Sequence, residues 1–315
     1  MNLIALLAAL VIERLATQWF HWRRMPWLDR CIDAGFLRMQ GFAHWPPLVP
    51  VLLLGLALVL PVAVVTFALG DALLGFPYLI LAIVVLFFSL GPNDIGEDVD
   101  EYCKAIERDD EDAIRVAAGA LVEGDLPYEP LDRMRTVESA VFVQANNRLF
   151  AVIFWFVVLG PLGPLGAWAY RVTDLMRRRA VITALPHPAA PAPVAGDAET
   201  LAIAAVHGAA IELHAWLAWL PARLTAIGYG VAGHFDGALQ AWRGMPAAAG
   251  EAVAARNELL LARVGLGAMA FDEDETEPPA ERGVRGASAA NRLVFRQLLI
   301  WVVVIAALTL YGWTL

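Results

Sequence analysis

The stretch from Val49 to Leu69, VPVLLLGLALVLPVAVVTFAL, contains no charged residue. At about 1.5 Å per residue, a helix of this length crosses a hydrocarbon core roughly 30 Å thick. In lipid, every backbone polar group must be satisfied within the protein, so such a segment spans as a helix or as part of a closed barrel. An unbroken apolar run, without period-two alternation, selects the helix. Pro61 should kink it, which membrane helices tolerate when neighbours take up the freed backbone groups.

Three more runs repeat the pattern. Ala72 to Leu90, ALLGFPYLILAIVVLFFSL, follows after a turn at Gly70 and Asp71 and completes a helical hairpin. Leu149 to Tyr170, LFAVIFWFVVLGPLGPLGAWAY, is a third predicted span, interrupted by GPLGPLG. That interruption reads either as close helix packing through small residues or as a broken helix lining a cavity. Gln297 to Leu315, QLLIWVVVIAALTLYGWTL, is the fourth, with Trp and Tyr near its end as an interfacial belt would have them. A further buried or interfacial helix at 1–20 or 213–233 would change the count. The start, MNLIALLAALVIERL, lacks a basic leader and a small-residue cleavage site, so it reads as a retained helix. Arg177, Arg178 and Arg179 favour a cytoplasmic end for the third span, whereas Arg23 and Arg24 favour the opposite end.

Composition agrees. Hydrophobic residues make up 59% of the 315-residue chain and charged residues 17%, against about 25% charged in soluble domains. The net charge of −9 argues against a nucleic-acid surface. Cys31 and Cys103 stand far apart, in no disulfide or zinc spacing. The expected organisation is an N-terminal apolar helix (1–45), a transmembrane hairpin (46–91) and an acidic helical extramembrane segment (92–147). A third transmembrane helix (148–171) follows, then a linker with a helical segment carrying PARL (172–292), then a C-terminal transmembrane helix (293–315).

Acidic residues outnumber basic ones 15 to 6 between Gly91 and Arg148. Val99, Tyr102, Cys103 and Ile106, then Ile114, Ala117, Ala118 and Leu121, follow helical spacing, and RDDED (108–112) reads as a turn and N-cap between two helices. Asp94, Glu97, Asp98, Asp100 and Glu101 are either solvated helix-start acids or metal ligands. The Pro/Ala-rich run at 184–200 reads as a linker, and FDEDETEPPAERGVRG (271–286) as an exposed acidic loop.

No phosphate-loop, nucleophile-elbow, HExxH or dinucleotide fingerprint is present. His207 and His214 share a helix face without a third ligand. The candidate site residues are instead polar groups at or beside apolar runs, where an ionisable side chain marks function by default. They are Glu13 and Arg14 after the first helix, Glu138, Asn146 and Arg148 at the mouth of the third span, and Arg171 and Asp174 past its other end. Arg223 joins them from WLPARLTA. Pro221 is expected at a first helical position, aiming free N–H groups and Arg223 at an anion. The alternative is that Arg223 snorkels to the interface or pairs with Glu212 or Glu13.

LIALLAALVIERL, ANNRLFAVIFW, WLPARLTAIGYGVAGHFDGALQAW and a tail ending in TLYG, in order over nearly the whole chain, resemble the AmpE family. The resemblance implies an all-α, multi-pass protein of the bacterial inner membrane, with about four transmembrane helices plus interfacial or buried ones. It implies a non-catalytic signalling modulator linked to β-lactamase induction and cell-wall sensing, with a polar intramembrane pocket. Its partners would be the lipid bilayer and a cell-wall-derived or phosphorylated small molecule, with no nucleic acid. ERDDEDAIRVAA, GPLGPLGAWAYRVTD and LPARLTA are similar in turn to the CobD/CbiB synthases of adenosylcobinamide phosphate. That likeness carries over Arg108, Asp109, Tyr170, Arg171, Asp174, Pro221, Ala222, Arg223 and Leu224. It implies, as the alternative, an amide-forming enzyme using ATP and Mg, with the acids of 108–112 and Glu138 holding metal and phosphates. The synthases' HP motif is absent here, and their ESVAEN…DG run is reduced to ESAVFVQANNR. A third reading is a structural scaffold in which Arg223 and Glu138 pair with each other or with lipid headgroups.

Overall fold

The computed structural model describes residues 5–9, 25–39, 45–68, 75–91, 94–184, 198–246, 252–271 and 276–311. These are all-α, with no strand among them. The helices are α1 (Pro26–Met39), α2 (Leu48–Ala68), α3 (Phe76–Ser89), α4 (Ile95–Glu107), α5 (Glu111–Leu121) and α6 (Pro130–Ala145). A widened π turn at Asn146–Phe150 leads into α7 (Ala151–Val158), and a 3-10 turn at Gly160–Leu162 leads into α8 (Gly163–Ala184). Then come α9 (Ala198–Ala232), α10 (Phe235–Arg243), α11 (Val253–Met269) and α12 (Pro279–Leu310).

Four helical stretches are long and apolar enough to cross a membrane: Leu48–Ala68, Pro130–Val158, Leu201–Ala232 and Pro279–Leu310. The first has the expected limits, and Leu52, Leu53, Leu56, Leu60, Val64 and Phe67 expose their side chains as a lipid-facing helix requires. Elsewhere the structure differs from expectation in four places, each for an identifiable reason. The predicted second span, Ala72–Leu90, is the 14-residue helix Phe76–Ser89, about 21 Å long and short of the roughly 30 Å core. Extended backbone at Gly75, followed by a proline in the first turn, fixes its start. The predicted third span runs further back, from Pro130, and stops at Val158. It stops there because Gly160 takes a left-handed φ of 54° and the chain reverses. A Cβ at Gly163 would lie 2.4 Å from the Phe156 carbonyl oxygen, so GPLGPLG serves close packing of α8 against α7.

The third correction concerns Pro221. It does not start a helix but lies inside the continuous α9. A proline there leaves the carbonyl four residues earlier, Leu217, without its N–H partner. Trp155 Nε1 donates to that oxygen at 3.2 Å. Pro61 lies likewise inside α2, and Trp168 Nε1 donates to Leu58 O at 3.1 Å, three residues before it. The fourth correction is at 271–286. Helix α12 starts at Pro279, so the second half of the presumed loop is helical, with Arg282, Gly283 and Gly286 buried.

The chain divides into two compact units. One comprises 1–92 and 152–217, the other 93–151 and 218–315. The core of the first joins Leu28, Ile32 and Phe36 of α1 to Val51, Val85, Trp168, Val172 and Met176. The core of the second joins Tyr102, Ile106 and Leu121 to Val141, Phe142, Phe150, Tyr229, Leu261 and Leu293. The turn and N-cap expected at 108–112 form between α4 and α5, whereas 130–145, expected in the acidic extramembrane segment, belong to the membrane-length stretch Pro130–Val158. Asp94 caps α4 by accepting from Gly96 N at 3.1 Å, and Asp110 caps α5 by accepting from Ala113 N at 3.0 Å.

The repair of Pro221 by Trp155 is testable by a double-mutant cycle. Trp155→Phe should destabilise the protein in detergent by about 1–3 kcal/mol, the cost of an orphaned buried acceptor. In a Pro221→Ala background, where the residue 221 N–H can bond to the Leu217 carbonyl, the same change should cost clearly less. Equal costs in both backgrounds, read by thermal or denaturant unfolding, would refute the coupling.

Candidate functional site

The polar groups singled out from the sequence belong to two sets, one in each unit. In the first unit α8 presents Tyr170, Arg171, Asp174 and Arg177, all buried. Asp174 is fully enclosed. It accepts from Arg171 Nη1 and from Arg177 Nη2, each at 2.8 Å. His214 of α9 places Nε2 3.0 Å from the Tyr170 hydroxyl and 3.7 Å from Asp174 Oδ1. Burial pushes the Asp174 carboxyl up, but Arg177 and Arg171 outweigh it and hold the group well below the usual carboxylate range. Arg179 donates to Asp33 of α1, Nε to Oδ1 at 2.8 Å, and tethers α8 to that helix. His207 stacks edge-on against Phe36, with ring centroids 5.0 Å apart. No group of His, Cys, Asp or Glu able to hold a metal occurs among the described residues.

In the second unit the π turn separates two polar contacts. Arg148, inside it, donates to Gln144 Oε1 at 2.9 Å, to Asp98 Oδ2 at 2.7 Å and to the Ala120 carbonyl at 2.7 Å. Asn146, at its start, accepts from Thr225 Oγ1 at 3.1 Å, and Gln297 Nε2 donates to the Thr225 carbonyl at 3.0 Å. A π turn inserts a residue into a helix, redirects the side chains that follow and often marks a functional site.

Glu138 of α6 is buried and pairs with Arg282 of α12. A Cβ at Gly286 would fall 1.9 Å from Glu138 Oε1, so only glycine admits the carboxylate there. Beside this pair lie two buried donors without a partner among the described residues, the Tyr102 hydroxyl and Arg133 Nε. The other nitrogens of Arg133 hold Glu111, Nη1 to Oε1 at 2.6 Å and Nη2 to Oε2 at 3.0 Å. Burial pushes the Tyr102 phenol up to about 12, with Arg133 and Arg282 opposing and Glu138 adding to the rise. Three helices, α4, α6 and α12, thus converge on a charged cluster with two donors that meet no acceptor among the described residues.

Arg223 is half-buried on α9. Its Nη1 donates to the Trp219 carbonyl at 2.7 Å and to Asn257 Oδ1 at 3.1 Å, and its Cζ lies 3.8 Å from the Trp219 ring centroid. It stands in mid-helix, so the expected helix N-terminus aimed at an anion does not exist. Glu13 and Arg14 lie outside the described residues. The structure thus joins Arg171 to Asp174, while Glu138, Asn146, Arg148 and Arg223 each meet their own partners in the second unit. The sequence reading missed Arg282, Asn257, Thr225 and Gln297. Gly283, Gly286, Ala287 and Ala290 recur at helical spacing and carried the missing signal for Arg282.

A family model described as "Regulatory signalling modulator protein AmpE" matches residues 1–315. The chain is similar to Protein AmpE of Shigella flexneri, 26% identical over 319 residues that cover 99% of both chains. It is also similar to the cobalamin biosynthesis protein CobD of Stutzerimonas stutzeri, 26% identical over 71% of each chain. CobD of Chromobacterium violaceum is likewise 26% identical, over 74% of this chain and 72% of its own. No solved structure matches.

Asp174→Asn leaves two buried guanidinium groups facing a neutral amide. It should cost about 3–5 kcal/mol, the usual penalty for breaking a buried ion pair. Because the folded-state pKa of Asp174 is lowered, its contribution is full above the unfolded value, about 3.9, and is lost as pH falls below that. Denaturant unfolding of the wild type should therefore weaken below about pH 4, and the variant should show a shallower acid limb. An Asn variant as stable as wild type at neutral pH would refute the assignment.

Proposed function

Because the chain belongs to the AmpE family, we propose that it works as a multi-pass signalling modulator of the bacterial inner membrane, linked to β-lactamase induction and cell-wall sensing, rather than as a catalyst. The observation that carries this reading is the family match over the whole length of the chain. A ligand-responsive role draws support from one feature of the fold. Tyr102 and Arg133 offer two buried hydrogen-bond donors beside the Glu138–Arg282 pair. Their chemistry suits an acceptor-rich anion, such as the carboxylate or phosphate of a cell-wall-derived or phosphorylated small molecule. Such a ligand would act as an effector if it bound one arrangement of α4, α6 and α12 more tightly than another.

The similarity to two CobD proteins supports a second reading, an amide-forming synthase that would draw on ATP and Mg. Its acids would be those of 108–112 and Glu138. Asp110 is engaged in capping α5, Glu111 in holding Arg133 and Glu138 in holding Arg282, so the modulator reading is the better supported.

Deleting the gene in its host should change β-lactamase activity after a β-lactam challenge by several-fold. The wild-type chain should restore it, and Tyr102→Phe, which removes one hydroxyl, should restore it only in part at equal membrane abundance. Unchanged induction in the deletion strain overturns the modulator reading. Cobalamin-dependent growth of a strain lacking its adenosylcobinamide-phosphate synthase, restored by this chain, would move the synthase reading to first place.

A further inference from the structure

Arg223 is a half-buried cation set in an otherwise apolar face. Helix α9 exposes an apolar stripe, Trp216, Trp219, Leu220, Leu224, Ile227 and Val231. Arg223 lies within that stripe, one turn beyond Trp219. An arginine cannot shed its charge, so a site in the middle of lipid would be costly. Length along the helix resolves this. From Leu201, where the membrane-length stretch begins, Arg223 is about 33 Å along at 1.5 Å per residue. A hydrocarbon core is roughly 30 Å thick. With Leu201 at one face of such a core, Arg223 lies at the level of the opposite headgroups, just after two exposed tryptophans of the kind that mark that level.

The guanidinium is also held in a fixed plane. The Trp219 ring lies under it at 3.8 Å, and both protein acceptors, the Trp219 carbonyl and Asn257 Oδ1, engage the same nitrogen, Nη1. Nε and Nη2 meet no acceptor among the described residues. A second cation stands beside it. Arg256 precedes Asn257 on α11, is half-buried, and donates to the Pro246 carbonyl at 3.5 Å, the outer limit of a hydrogen bond. Two arginines with donors that meet no acceptor among the described residues, one stacked on Trp219, form a cradle of charge opposite to that of a phosphate diester.

We propose that Arg223 and Arg256 bind the phosphate of an anionic phospholipid headgroup at the membrane face of the second unit. The site is independent of the Tyr102–Arg133 cluster and of the role proposed above. The test uses the full chain in neutral detergent, titrated with phosphatidylglycerol, phosphatidylcholine or inorganic phosphate, with the melting temperature as readout. Phosphatidylglycerol should raise it at lower concentration than phosphatidylcholine. Arg223→Gln should weaken the half-saturating concentration about tenfold or more, the scale of a lost charge-assisted contact. Arg223→Lys should keep part of the response, since it retains charge but not the planar fork. Arg256→Gln, on a half-exposed surface, keeps the test open should Arg223→Gln not fold, and it should weaken the response as well. A wild-type response in both Gln variants overturns the proposal. An equal rise with inorganic phosphate and no lipid also overturns it, in favour of a soluble phosphate site.

Discussion

A guanidinium stays charged wherever it is placed, and the buried arginines of this protein govern how its helices can meet. Arg148 reaches Asp98 at the first turn of α4 and the Ala120 carbonyl near the end of α5, so one side chain ties the π turn to two helices. Arg282 fixes the first turn of α12 against Glu138 of α6. Arg133 fixes the start of α6 against Glu111 of α5. In the first unit Arg171 and Arg177 close on Asp174 from one side of a single helix. Buried pairs of this kind add little net stability over apolar side chains of the same volume, but breaking one leaves an uncompensated charge. Their effect is on register. A helix slipped by one residue would bury an arginine with no carboxylate, which none of these helices can sustain.

Backbone groups obey the same logic. Pro61 and Pro221 stand in helices of membrane length, where no water reaches a freed carbonyl. At Pro221 the vacated Leu217 oxygen accepts from Trp155, and near Pro61 the Leu58 oxygen accepts from Trp168. Both tryptophans flank the reversal at Gly160 that joins α7 to α8. The bulky apolar rings pack, and at Pro221 the Trp155 N–H supplies what proline lacks. These prolines are therefore fixed points for tertiary contact rather than breaks in the chain.

Much of this was legible from local signals. Charge-free runs gave the membrane character, and the acidic caps at Asp94 and Asp110 marked the starts of α4 and α5. The likeness to the AmpE family was legible in four short motifs. What was not legible depended on distant partners. Pro221 reads as a helix start because the residue that repairs the gap, Trp155, lies far away in sequence. Arg282 reads as loop because the acids before it dominate the composition, while the glycines that bury it are visible only by period. Phe76–Ser89 reads as a full span because hydropathy does not register the extended backbone at Gly75. Arg171 and Asp174, three apart on one helix, could be joined from spacing alone. Glu138 and Arg282, 144 residues apart, could not.

Helix α12 brings these constraints together. Its first turns bury Arg282, Gly283 and Gly286 against α4 and α6, and its later turns expose Leu299, Val303, Val304 and Leu310. One rigid element thus has a charged, packed end and a lipid-facing end, with Gln297 bonded to the Thr225 carbonyl where the two regimes meet. An acceptor arriving at Tyr102 and Arg133 would enter the ion-pair network that fixes the packed end. Any change in how Arg282 sits against Glu138 must then be taken up along the helix, because its backbone hydrogen bonds leave no intervening joint between Pro279 and Leu310. The glycine at 286 sharpens this. The carboxylate of Glu138 occupies the volume where a side chain would be, so the pair can separate only if α6 and α12 move apart. A packed contact of that kind has discrete arrangements rather than a continuum, which is what the signalling role proposed above would require.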